Sequence, residues 1–313
     1  MPDFTFRTFR LLLDTLKAQH YTFQTFVQFL GDPASRAIIL RHDVDARKLN
    51  SLHVAQLESE LGITGTFNFR ILPRSFDTEV IRKISAYGHE IGYHYEDLAI
   101  AAKASKGRGT RDEGRGRMGK GHGNCNEGLY EMALKLFEQN LAKIRQVAPV
   151  ETICMHGSPL SKYDNRKLWE KYNYRDFGII GEPYFDIDFS KVLYLTDTGR
   201  RWDGERVSVR DKMGEGSSKM EDSRRDKGQG TRDRGRGTRD KGQGTISINV
   251  FRSTFDIIKA ANKGQLPDQI MINVHPQRWD DRPLPWIREF IFQNIKNWGK
   301  RILILKEDSG KKF

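Results

Sequence analysis

Short apolar runs at residues 36–43, 64–70, 89–94, 151–156, 177–181, 191–196, 268–274 and 301–305 alternate with segments of helical periodicity. Those segments lie at 4–18, 47–61, 76–87, 127–146, 163–171, 250–262 and 284–297. Strands joined through helices must pair in parallel, because only a crossover returns the chain to the same end of the sheet. The alternation therefore predicts an α/β fold, a parallel sheet or barrel flanked by helices. In such folds ligands gather at the C-terminal ends of the strands. The 313 residues are enough to bury one large core.

Two segments interrupt this pattern, at 104–124 and 210–245. The second repeats every seven residues: Arg225-Asp-Lys-Gly-Gln-Gly-Thr231, then Arg232-Asp-Arg-Gly-Arg-Gly-Thr238, then Arg239-Asp-Lys-Gly-Gln-Gly-Thr245. The first carries looser copies of the same unit, such as Arg111-Asp-Glu-Gly-Arg-Gly-Arg117. A heptad suggests a coiled coil, but these have no apolar seam and are rich in glycine. They cannot offset their ordering entropy by burial, so both are expected to be disordered Arg/Gly-rich insertions in a single domain.

The two segments also hold most of the net charge of +12, which removes the main argument for nucleic acid as a partner. Their aspartates and their lack of aromatics weaken it further. Two cysteines, Cys125 and Cys154, make no disulfide framework. No apolar run approaches bilayer length, and Leu11-Leu12-Leu13 is cut short by Asp14 and Lys17. The expectation is a cytoplasmic protein with no membrane span.

Polar groups fall where the strands should end. Ala37-Ile38-Ile39-Leu40 runs into Arg41-His42-Asp43-Val44-Asp45. Residues two apart on a strand share a face, so Asp43 and Asp45 point the same way, roughly 6–7 Å apart. Two such carboxylates are costly unless they hold a cation or share a proton. Solvated aspartates in a turn are the bland alternative. His94 closes Gly88-His89-Glu90-Ile91-Gly92-Tyr93-His94, His156 closes Cys154-Met155-His156, and His275 closes Ile272-Asn273-Val274-His275. His89 lies an odd number of residues from His94 and should face the other side of the sheet.

In this order the motifs resemble those of the polysaccharide deacetylase family, the NodB-homology domains. That resemblance implies a distorted (β/α) barrel of the glycoside hydrolase/deacetylase type. It also implies removal of acetyl groups from sugars with a divalent metal: zinc, or else cobalt, nickel or iron. It implies Asp43 as general base, Asp45 and His94 as metal ligands, and His275 as the proton donor to the leaving group. Asp197-Thr198-Gly199-Arg200-Arg201-Trp202 is similar to a further motif in which Asp197 would orient the catalytic pair. Arg41, on the face of Asp43, is a candidate to hold its carboxylate.

The chain departs from the family at one position. A second metal histidine should stand four residues after His94, where this chain has Leu98. Catalytic zinc ordinarily takes three protein ligands and a water. His156 is the first choice for the third, with Asp97 or Glu96 as the second. The expected function is deacetylation of an amino sugar or glycoconjugate precursor. The alternatives are hydrolysis of a non-sugar amide and a non-catalytic binding protein that keeps the fold. Tyr93, Tyr95, Trp202 and Trp279 are candidates to stack on a sugar ring.

Overall fold

The computed structural model describes residues 1–109, 124–157, 161, 163–202 and 251–310. Its sheet is all-parallel and curled, with helices packed against it. The strands are β1 (Thr22–Gln24), β2 (Ala37–Val44), β3 (Thr66–Phe69), β4 (Glu90–Tyr95), β5 (Ile153–Met155), β6 (Leu193–Thr196) and β7 (Gln269–Val274). Their order is β5-β4-β3-β2-β7-β6, with β1 also pairing with β2. β1 takes up residues 37–39 of β2, and β3 takes up residues 41–44. This is the barrel-like α/β architecture that the alternation predicts.

The helices are α1 (Phe6–Ala18), α2 (Phe26–Gly31), α3 (Lys48–Glu60), α4 (Thr78–Ala86), α5 (Asp97–Gly109), α6 (Asn124–Arg145), α7 (Leu168–Lys171), α8 (Pro183–Asp186), α9 (Thr254–Asn262) and α10 (Pro283–Gly310). No described helix is long and apolar enough to cross a membrane.

β2 is the central strand and all eight of its residues are buried, as an unbroken apolar run in a parallel sheet requires. Its alternation sorts them. Ile38, Leu40 and Val44 join the large apolar cluster that also contains Phe9, Val54 and Ala55 of α1 and α3. Ala37 and Ile39 face the concave side and pack with Phe26, Phe29 and Met271.

α2 thus plugs one end of the half-barrel. Its first amides are satisfied by the sheet: Phe26 N–H donates to Thr66 Oγ1 (2.8 Å) and Val27 N–H to Glu90 Oε2 (2.9 Å). Arg41 and Asp43 follow on the same concave face, one and two levels above the apolar plug.

Several expectations fail locally. Residues 177–181 form no strand: a 3₁₀ turn over Tyr174–Phe177 ends at Gly178, whose φ of 67° needs glycine, and Gly181 makes one isolated bridge with Thr152. The run at 301–305 is helical, the last part of α10, which has no proline after its first turn to stop it. The short β1 and the helices α2 and α5 add elements at positions where none was predicted.

α5 runs into the first insertion, through residues 104–109. Residues 110–123 and 210–245 lie outside the described residues.

Candidate active site

The concave face turns polar one level above the α2 plug. Arg41 is buried, with Nη1 3.7 Å from Met271 Sδ, and Nη2 donates to Asp43 Oδ2 at 3.1 Å. Neighbouring strands complete the cradle. Asn273 Nδ2 of β7 donates to Asp43 Oδ2 at 3.0 Å, and Asn68 Nδ2 of β3 donates to Asp43 Oδ1 at 3.2 Å. Burial alone would raise the Asp43 pKa, but the Arg41 guanidinium and the imidazoles of His94 and His275 outweigh it. They hold the carboxyl far below the usual range.

Asn68 is the register partner of Asp43 on β2 and of Gly92 on β4, and its side chain lies against both. A Cβ at residue 92 would lie 2.1 Å from Asn68 Oδ1, so only glycine fits there. The glycine of the Gly88–His94 motif therefore makes room for a residue that aligns the aspartate.

Asp45, His94 and His156 converge above this cradle. One ligand atom from each lies within 4.8 Å of the other two. His156 Nε2 is 3.3 Å, His94 Nε2 3.7 Å and Arg70 Nη1 3.8 Å from the buried Asp45 Oδ1.

The outer partners of both imidazoles are those of metal ligands. His94 Nδ1 sits 2.9 Å from the carbonyl of Cys154, so it carries the proton and leaves Nε2 with its lone pair. Burial, aided by the charges of His156 and Arg70, lowers the His94 pKa to about 4 and keeps the ring neutral. His156 Nδ1 lies 3.1 Å from Glu96 Oε2, and Glu96 is clamped by Arg70 through Nε (2.8 Å) and Nη2. Burial alone would lower His156, yet Asp45 and Glu96 lift it to about 9. The donor set and the fixed tautomer of His94 fit a divalent cation.

Leu98 is fully buried in the apolar core on α5, so position 98 belongs to packing. Asp97 also turns away from the cluster. Both its oxygens accept from Tyr93 Oη (2.9 and 2.8 Å), and Oδ1 accepts from Asn140 Nδ2 (2.8 Å). Of the two second-choice ligands, Glu96 supports His156 from behind and Asp97 is absent from the cluster.

Burial lifts the Asp97 pKa to about 7. Between the ordinary carboxylate value and about 7, the folded state keeps a proton that the unfolded chain has released, so stability falls as pH rises through that window. Asp97→Asn can keep both partners and has no such proton. The melting temperature of this variant relative to wild type is expected to rise between pH 5 and pH 8 in paired thermal melts. No relative change across this range would mean that Asp97 is already charged in the fold.

His275 leaves β7 level with Asp43, since His42 pairs with Val274 one step earlier. Its Nδ1 is 2.6 Å from Asp197 Oδ1, and its amide donates to Asp197 Oδ2 at 2.9 Å. Arg278 Nη1 donates to Oδ1 (2.6 Å) and Trp279 Nε1 to Oδ2 (2.8 Å). Burial pushes Asp197 upward, but Arg278 and His275 outweigh it and hold it below its ordinary value. The Asp197 carboxylate therefore fixes the His275 ring and points Nε2 away from itself.

All seven residues singled out in the sequence, Arg41, Asp43, Asp45, His94, His156, Asp197 and His275, sit at the C-terminal ends of the strands. His89, facing the other way, accepts the Gly65 amide at Nδ1 (3.1 Å) and meets the Ala55 carbonyl through Nε2 (2.9 Å). The proposed sugar-stacking aromatics are corrected: Tyr93, Tyr95, Trp202 and Trp279 are all buried, as packing or as hydrogen-bond donors.

Asn68, Asn273, Arg70, Arg278 and Gln277, whose Nε2 donates to Asp45 Oδ2 at 3.2 Å, are site residues that the motifs do not reveal. Asn68 and Asn273 had a signal, since a lone asparagine inside an apolar strand needs an interior partner.

Compared with models of protein families, with curated proteins and with solved structures, the chain matches none.

Proposed function

We propose that this protein is a metal-dependent hydrolase that removes an acetyl group from an amino sugar or glycoconjugate precursor, acting on a carbon–nitrogen bond other than a peptide bond. One observation carries the reading. A cradled carboxylate (Asp43), a three-residue cation site (Asp45, His94, His156) and an Asp-oriented histidine (Asp197, His275) stand together at the C-terminal ends of the strands. Amide hydrolysis needs a base, a Lewis acid and a proton donor for the amine. The motif resemblance to polysaccharide deacetylases supplies the acetylated sugar, and nothing in the geometry opposes it.

Asp45, His94 and His156 would hold the ion. A divalent cation, zinc in the first instance, supplies polarisation of the acetyl carbonyl and a water acidified to a pKa of about 7. The chain's own residues do the rest. Asp43 Oδ2 already accepts from Arg41 and Asn273, whereas Oδ1 accepts from Asn68 alone. A carboxylate oxygen has two acceptor sites, so Oδ1 is the atom free to take the proton of the attacking water. Asp43 stays ionised for that task because Arg41 lies against it. His275 gives a proton from Nε2 to the departing amine, while Asp197 keeps Nδ1 protonated and the ring in place.

The test is metal content and acetate release together, on protein purified without chelator and assayed against N-acetylated amino sugars, free and nucleotide-linked. About one zinc or cobalt per chain, with acetate formed from at least one of these, is expected. A chain that binds no ion even after soaking in either metal overturns the reading.

A further inference from the structure

We infer that the same pocket contains a second, deeper metal position formed by Asp43, His94 and Cys154, where a thiophilic ion is held in place of the catalytic one and the base is lost. This rests on the metal reading above and adds a position to it. One ligand atom from each of the three residues lies within 4.8 Å of the other two, and all three residues are buried.

The geometry follows from strand alternation. Asp43 and Asp45 occupy successive concave positions at the end of β2, and Cys154 and His156 do so at the end of β5. His94 of β4 is the register partner of Cys154. The outer triad takes the upper residue of each pair and the deeper triad takes the lower one, with His94 common to both. Because Nδ1 of His94 is committed to the Cys154 carbonyl, the ring has one coordinating nitrogen left. An ion on one triad therefore excludes an ion on the other.

Ligand chemistry separates the two positions. The outer triad offers one carboxylate and two imidazoles, which suit zinc and cobalt. The deeper one adds sulfur but lies beside the buried Arg41 guanidinium, whose charge acts on Asp43 and Cys154 alike. A hard ion gains too little there to offset that repulsion. An ion that bonds strongly to thiolate does gain enough, cadmium above all, with the thiol proton released to solvent. Asn273 Oδ1, on the amide that steadies Asp43, is buried and accepts no hydrogen bond, which leaves a further oxygen in the neighbourhood. Occupancy engages the Asp43 carboxylate, so the cadmium form is expected to be inactive.

The full chain is titrated with cadmium and, separately, with cobalt, following bound ion and the ultraviolet thiolate-to-metal absorption. The proposal expects one bound cadmium with a thiolate band that disappears in Cys154→Ser and stays in Cys125→Ser. It also expects that Cys154→Ser still binds cobalt. One bound cadmium without the band, or a band that survives in Cys154→Ser, overturns the deeper position and leaves the outer site standing. A wild-type chain that takes up neither ion overturns both.

Discussion

Asp43→Asn is expected to lower the rate of acetate release by about 10²–10⁴-fold, the range over which a positioned base acts, while cobalt is still bound. Asp43 is outside the outer triad, although its carboxylate lies close to His94, and the Asp45 amide donates to the Asp43 carbonyl at 3.1 Å. The substitution has a second, separable effect. Three donors converge on Asp43, and the new amide nitrogen must face at least one of them. Arg41 then remains buried without its counter-charge, a change that costs about 3–5 kcal/mol when a buried pair is broken. Turnover is therefore measured at a temperature where circular dichroism shows the variant folded. Undiminished turnover by folded, cobalt-loaded Asp43→Asn would remove Asp43 as the base.

The order of the site was legible because it is written in strand parity. Arg41, Asp43 and Asp45 share a face by two-residue spacing, and in the fold Arg41 touches Asp43 while Asp45 stands above it. The same parity placed His89 behind the sheet. His156 was legible for a related reason: it ends its own strand, and parallel strands bring their C-terminal ends to one edge of the sheet.

What stayed hidden depends on which strands are neighbours. Nothing local in Thr66-Phe67-Asn68-Phe69 says that β3 lies between β2 and β4, so the place of Asn68 between Asp43 and Gly92 could not be read. Nor could the fully buried pair behind the site, His42 Nε2 and Glu58 Oε1 at 2.8 Å, because Glu58 sits in a helix whose polar residues resemble an exposed face. The aromatics misled for a different reason. Tyr93, Trp202 and Trp279 lie beside site residues in sequence, but alternation and turns direct them into the core.

The chain's departure from the family pattern leads to the prediction with the largest effect on metal binding. His94→Ala should abolish retention of zinc or cobalt, because His94 serves both triads. The informative comparison is His156→Ala, made together with Cys154→Ser so that the deeper position cannot take the ion over. Loss of an outer-sphere partner alone, as in Glu96→Gln, costs about 10–100-fold in affinity. Loss of the ligand should cost more than about a hundredfold on that scale. Adding Leu98→His to the double variant should not restore binding, although this is where the family carries its histidine. Residue 98 is fully buried on α5 among core side chains, and the neighbouring Asp97 is tied to Tyr93 and Asn140. A histidine there places a polar ring in an apolar site, which costs about 1–3 kcal/mol if it finds no partner. Cobalt affinity by competitive titration and melting temperature separate the cases. Recovered affinity in the Leu98→His triple variant would mean that α5 can turn its second residue into the pocket. Unchanged affinity in the His156→Ala, Cys154→Ser variant would show that the third ligand lies elsewhere.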